Sequence, residues 1–169
     1  FVIDTGKFTG RSPKDKWFVK NIGSESDAHL DWGTVNQATT PEVYEELYNK
    51  AIAHFNTRET AYVFDGFCGA SPKSKRKIRF VHEMAWQQHF VTNMFIRAAD
   101  ETELENFEPD FTVINCCSQV DSDFERHGLH SDTVVAFNIE KKTAVIFGTW
   151  YGGEMKKGIF TMKDVLDLK

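Results

Sequence analysis

The sequence predicts an α/β (α+β) domain, a mixed β-sheet with packed helices, and three observations carry that prediction. One segment repeats apolar residues at helical spacing, five short apolar runs have the length and composition of strands, and the last two runs are joined by a short polar turn. A buried helix, a crossover and a hairpin together require parallel and antiparallel neighbours in one sheet.

The first long helix is expected to start at Thr40-Pro41-Glu42, with Thr40 as cap, Pro41 at the first helical position and an acid in the first turn. Tyr44, Leu47, Tyr48, Ala51, Ile52 and Phe55 follow at three-four spacing and should bury one face. Strands are expected at 61–64, 78–81, 111–114, 134–137 and 144–147. A second helix is expected over 84–97, with Trp86, Phe90, Val91, Met94 and Phe95 facing inward. Glu140-Lys141-Lys142 reads as the hairpin turn. Segments 21–36 and 116–132, rich in Ser, Asp, Gly and His, read as loops, and Asp65-Gly66 and Pro72 bracket another. No stretch has the composition of a domain linker, so residues 1–169 are expected to form a single domain.

Composition narrows the class. With 41% hydrophobic and 27% charged residues the chain is ordinary globular material, and fifteen Phe suit thick layers between sheet and helices. A net charge of −5 argues against nucleic acid or an anionic membrane as partner, so Lys14, Lys16, Lys156 and Lys157 stand out against an acidic background and fit a small anion. No apolar run reaches the ~18 residues of a membrane span. The start, Phe1-Val2-Ile3-Asp4, lacks a basic-then-apolar leader and reads as the inside of a longer protein. Cys68, Cys116 and Cys117 form neither a disulfide framework nor a metal-ligand spacing, which suits a reducing cytoplasm, and the adjacent pair reads as small residues ending a buried strand.

Two segments concentrate glycine and cations. Tyr151-Gly152-Gly153-Glu154-Met155-Lys156-Lys157-Gly158 follows an apolar strand and reads either as a solvated turn or as a seat for an anion or a metal-bound phosphate. Thr9-Gly10-Arg11-Ser12-Pro13-Lys14-Asp15-Lys16 has the same mixture. Gly6 to Ser12 fails as a nucleotide-binding P-loop, which needs four residues between its glycines and a Lys where Arg11 stands. What remains is an Arg whose planar fork can hold a carboxylate through two hydrogen bonds. Among the histidines, His82-Glu83-Met84-Ala85-Trp86 begins like a zinc protease motif but has Trp where the second His belongs. His82 and His89 read as core or helix-face residues. His127 and His130 sit in a polar loop with no carboxylate or Cys at ligand spacing. Spacing alone does not exclude a Ser-His-Asp triad, although there is no Gly-x-Ser-x-Gly elbow.

Residues 9–16 and 151–158 together resemble two signature segments of the ATP-dependent phosphoenolpyruvate carboxykinases. The resemblance continues through Phe67-Cys68-Gly69-Ala70, Arg79-Phe80-Val81 to Ala85-Trp86-Gln87, Asn93 to Arg97, Pro109-Asp110-Phe111, Val135-Ala136-Phe137-Asn138 and Gly148-Thr149-Trp150, in the family's order. It implies conversion of oxaloacetate and ATP to phosphoenolpyruvate, ADP and carbon dioxide, in gluconeogenesis, with a divalent metal (manganese, magnesium) as cofactor and a cytoplasmic location. It further implies that Arg11 grips the substrate carboxylate, that Tyr151 and the backbone at Gly152 and Gly153 lie against the same group, that Lys157 is a neutral amine ligand of the metal beside substrate and nucleotide, and that Lys156 meets the phosphoryl group. Ser12 and Lys14 support these. Ala98 stands where the family usually has Pro, and Cys116-Cys117 where it has other small residues. The family's phosphate loop and remaining metal ligands have no counterpart in residues 1–169, so the chain is expected to be the N-terminal, substrate-side part of a two-domain enzyme, inactive without its nucleotide-binding domain. Two rival readings are a stand-alone anion- or partner-binding module with this fold, and an unrelated enzyme using Lys156 or Lys157 for Schiff-base or phosphate chemistry.

Overall fold

The computed structural model describes residues 2–167, apart from the side chain of Leu166. Thr40 caps helix α2 (Pro41–Asn56) as expected, its hydroxyl accepting from the Val43 amide. A single-turn helix α1 (Glu25–Ala28) precedes it, capped by Ser24, inside the segment expected to be all loop. Tyr44, Leu47 and Ala51 are fully buried, while Ile52, expected inward, is exposed.

The strands are β1 (Lys16–Val19), β2 (Gln37–Thr39), β3 (Tyr62–Cys68), β4 (Arg76–His82), β5 (Ile96–Arg97), β6 (Phe111–Cys116), β7 (Val134–Asn138) and β8 (Thr143–Phe147). They form one mixed sheet in the order β2-β1-β7-β8-β6-β4-β3-β5. The five expected strands are present, and the sheet is completed by β1, β2 and β5. The 84–97 helix is shorter than expected: α3 (Ala85–Met94) ends where Phe95 turns extended, and Ile96–Arg97 pairs with β3 as an edge strand. Met94, expected inward, is 46% exposed, whereas Phe95 and Val91 are buried. Asp65 and Gly66 do not bracket a loop. They lie within β3, where Asp65 holds Arg79 of β4 through two 2.7 Å hydrogen bonds and where a Cβ at Gly66 would stand 2.7 Å from the Ile96 carbonyl oxygen. The 139–142 turn joins antiparallel β7 and β8, with the Asn138 side chain accepting from the Lys141 amide.

The Tyr151–Gly158 octad is a helix start, and the solvated-turn reading is corrected. Helix α4 runs Gly153–Asp167. Met155, Ile159, Met162 and Val165 recur at helical spacing and join the core under α3 and α4, against Phe18, Ile78, Phe80, Val113, Phe137 and Ile146. Gly158, in the helix interior, costs about 1 kcal/mol in propensity. It also lets α4 approach the sheet, since a Cβ there would lie 3.3 Å from the Phe137 ring. Helix α2 covers the opposite face, over Trp17, Val19, Ile114, Val134, Ala136, Val145 and Phe147.

The topology brings the two glycine-and-cation segments to one rim. β4, β6 and β8 are parallel and end together at His82, Cys116 and Phe147. β7 runs against β8 with Val134 opposite Phe147, and β1 runs with β7 with Lys16 beside Val135. The chain therefore enters β1 from the Arg11 turn at the rim where β8 leaves for Tyr151. Gly148, at φ 74°, makes that exit, in a backbone region open to glycine without strain.

Candidate functional site

Arg11, Ser12, Pro13 and Lys16 from the N-terminal turn meet Glu154, Lys157, Gly158 and Thr161 of α4, with Val135 and Phe137 of β7 as floor, around a pocket of about 50 Å³. A water molecule needs about 10–15 Å³ on this measure, so the space admits a group of a few heavy atoms, such as one carboxylate. Glu154, Lys157, Gly158 and Thr161 are spaced i, i+3, i+4, i+7, which puts them on one helix face. Arg11 and Lys157, expected to act together, are thus brought to one pocket from opposite ends of the chain.

The turn carrying Arg11 is tightly held. A 3₁₀ turn spans Pro13–Asp15, and the Ser12 hydroxyl donates to Asp15 Oδ2 at 2.5 Å. The Ser131 hydroxyl donates to Asp15 Oδ1 at 2.8 Å, and the Ser12 amide donates to Glu154 Oε1 at 2.5 Å. Lys14 is exposed and contributes its backbone carbonyl, which accepts from the Gln37 side chain. Burial pushes the Glu154 carboxyl above its ordinary range, with the Ser12 amide and then the Arg11 charge pulling it back. Burial and then repulsion from Arg11 push the Lys16 ammonium below its ordinary range, against a weaker pull from Glu154.

Lys156 does not line this pocket. It projects about 100° around the helix from Lys157 and its ammonium lies 5.9 Å from the centroid of the Phe160 ring. Tyr151, Gly152 and Gly153 lead into α4 and, like Lys156, do not line this pocket. The Tyr151 amide donates to the Thr149 hydroxyl at 3.2 Å. The Tyr151 ring folds over Gly153 so closely that a Cβ there would fall 2.4 Å from Cε1. Gly152 packs under Trp86 and Phe90 of α3, which a Cβ would approach to 3.1 and 3.3 Å. Gly152 is crowded by rings of the packed helix α3, whereas Gly153 is crowded by the end of the Tyr151 side chain, which can move.

Glu154 was not legible as a site residue, though its position three before Lys157 on a helix was a usable signal. Asp15 and Ser131 belong to the same cluster and carry no such signal. Among the described residues no group of three or more His, Cys, Asp or Glu is arranged to hold a metal ion. The pocket's carboxylate is engaged with the Ser12 amide, so these residues do not by themselves make up a metal's coordination set.

The histidines occupy other clusters. His82 is fully buried, stacked on Tyr62 with ring centroids 6.1 Å apart, and neither ring nitrogen has a well-formed hydrogen bond. Burial pushes its pKa down to about 4, against a weak pull from Gln88. His127, expected to lack a carboxylate, has two: Nδ1 lies 2.6 Å from buried Asp121 and Nε2 3.0 Å from Glu46 of α2, with Lys50 bridging Asp121 and Asp123. Ser118 Oγ stands 3.5 Å from His54 Nε2, but Glu83 bonds that same nitrogen at 2.6 Å and Ser118 Oγ at 2.6 Å. A relay would need the carboxylate on the opposite ring nitrogen, so this is no triad. Cys116 and Cys117 are buried and free, and desolvation followed by the Glu83 charge pushes the Cys117 thiol up to about 12.

Fold and site together define an α/β fold with a small pocket lined by three cations and one carboxylate. The family model described as phosphoenolpyruvate carboxykinase matches residues 1–167. A protein of Campylobacter lari named phosphoenolpyruvate carboxykinase (ATP) is 54% identical over 162 residues, covering 96% of this chain and 30% of that protein. A protein of the same name from Campylobacter jejuni subsp. doylei gives 54% over 162 residues with the same coverage, and one from Sulfurimonas denitrificans 51% over 160 residues, 95% of this chain and 30% of that protein. The chain spans about 30% of the length of these curated relatives. It belongs to the phosphoenolpyruvate carboxykinase family.

Proposed function

We propose that this chain supplies the carboxylate side of the active site of a cytoplasmic, gluconeogenic enzyme that converts oxaloacetate and ATP to phosphoenolpyruvate, ADP and carbon dioxide. The observation that carries the reading is the convergence of Arg11 and Lys157 on one carboxylate-sized pocket. In this reaction a carbon–carbon bond of oxaloacetate breaks, carbon dioxide leaves, and the electron pair stays behind as an enolate. The enolate oxygen attacks the γ-phosphorus as the bond to ADP breaks. Catalysis of such a transfer is mostly positioning and charge stabilisation.

Arg11 holds the carboxylate that departs as carbon dioxide, with its guanidinium fork matching the two oxygens. Tyr151 gives a hydroxyl donor at the edge of the same group, and the Gly152–Gly153 backbone brings amides close to it. Lys156, on the adjacent flank of α4, faces the phosphoryl group. Lys157 would be this segment's ligand to a divalent metal, which would stabilise charge on the enolate and phosphoryl oxygens, with further ligands expected outside residues 1–169.

The test is a coupled assay. The intact protein carrying this segment should form phosphoenolpyruvate from oxaloacetate only with ATP and a divalent metal, and residues 1–169 alone should form none. Silence from the intact protein contradicts the activity, and ATP-dependent turnover by residues 1–169 contradicts the division of labour.

A further inference from the structure

We infer that Glu154 is a positioning residue, a clamp that fixes the Arg11 turn against α4 so that Arg11 and Lys157 address one anion. The inference rests on the carboxylate reading of the pocket. Its basis is a buried carboxylate with an unusual partner. Glu154 is 6% exposed, and its Oε1 accepts from the backbone amide of Ser12, the residue after Arg11, at 2.5 Å. Burying a carboxylate costs several kcal/mol unless it is paired or hydrogen-bonded. Here the compensation comes from a backbone amide and the pocket's own cations, which ties the cost to the position of the turn.

Arg11 itself is exposed, so its aim depends on where its backbone is held. The next residue, Ser12, is fixed through two groups: its amide by Glu154 and its hydroxyl by Asp15, which in turn accepts from Ser131. Pro13 then locks the following φ. Of these restraints only Glu154 belongs to the helix that carries Lys157. It lies one turn before Lys157 on the same face, so any shift of α4 moves the turn and the lysine together. The gap between the guanidinium and the amine is thereby kept constant, which is what holding a carboxylate between two chain ends requires.

The experiment uses the intact protein with Glu154→Ala, which removes the acceptor, and Glu154→Gln, which keeps an acceptor oxygen at the same length. Hydrogen exchange at the Ser12 amide should accelerate in Glu154→Ala and stay near wild type in Glu154→Gln. In steady-state kinetics Glu154→Ala should lower kcat/KM for oxaloacetate by roughly tenfold or more, as a misplaced binding group does, with the KM for ATP unchanged. In an Arg11→Ala background the same change should cost less than about twofold, because the group it positions is gone.

Unchanged Ser12 exchange in Glu154→Ala overturns the clamp. So does a full additional loss in the Arg11→Ala background, and so does Glu154→Gln being as damaging as Glu154→Ala, since that outcome makes charge the determinant. If Arg11→Ala leaves oxaloacetate kinetics untouched, the carboxylate reading falls, and Ser12 exchange alone decides whether Glu154 holds the turn.

Discussion

The Ser12 amide donates to the Glu154 carboxylate at 2.5 Å, joining the turn that leads into the first strand of the sheet to the first turn of its last helix. The two glycine-and-cation segments are therefore parts of one surface. The parallel run of β1 with β7, and β7's antiparallel pairing with β8, bring them to the same rim.

The two lysines of α4 should separate in function because they leave the helix on different flanks. Lys157 lines the pocket, while Lys156 lies over Phe160. Lys157→Met should cost ~10²-fold or more in metal-dependent turnover and weaken the response to added manganese. Lys156→Met should leave the metal response intact and act on phosphoryl transfer. Metal titration of both variants in the coupled assay checks the distinction.

Gly153→Ala should separate folding from function. A Cβ there meets the end of the Tyr151 side chain, which can swing, and Ala in place of Gly reduces the entropy of the unfolded chain by about 0.4–1 kcal/mol. Thermal stability should therefore hold or rise, while kcat/KM for oxaloacetate falls at least as far as in Tyr151→Phe because the hydroxyl has moved. A loss of stability with unchanged kinetics would contradict the placement of Tyr151.

His82 should make the fold acid-sensitive. Its folded pKa is about 4 against an ordinary value of 6.5, so between these limits the unfolded chain binds a proton that the folded chain refuses. Stability should be complete above pH 6.5 and fall by about 3 kcal/mol as pH drops to 4. Chemical denaturation across that range should show the slope in the wild type. In His82→Phe, which keeps an aromatic ring against Tyr62 but cannot titrate, this contribution should disappear.

Legibility followed the range of the interactions. The β7–β8 hairpin and the Thr40 cap are local, and both were readable from neighbouring residues. The strands β1, β2 and β5 have two to four residues each and depend on partners far along the chain, so period and length gave little signal. The helix expected over 84–97 overshoots because Phe95 is apolar at helical spacing, yet its burial comes after the chain has turned extended. In the octad three glycines suggest a turn and hide the helix, although Met155, Ile159 and Met162 carry the helical period beneath them. Arg11 and Lys157 were identified by resemblance. The Glu154 clamp was missed because a hydrogen bond between a first turn and a last helix leaves no local pattern.

Whether Arg11 holds the carboxylate lost as carbon dioxide is decided by the steady-state kinetics of Arg11→Ala in the intact protein, with oxaloacetate and ATP varied separately. The kcat/KM for oxaloacetate should fall by ~10²-fold or more, with the KM for ATP unchanged. Wild-type kinetics for oxaloacetate, or an equal loss toward both substrates, would contradict it.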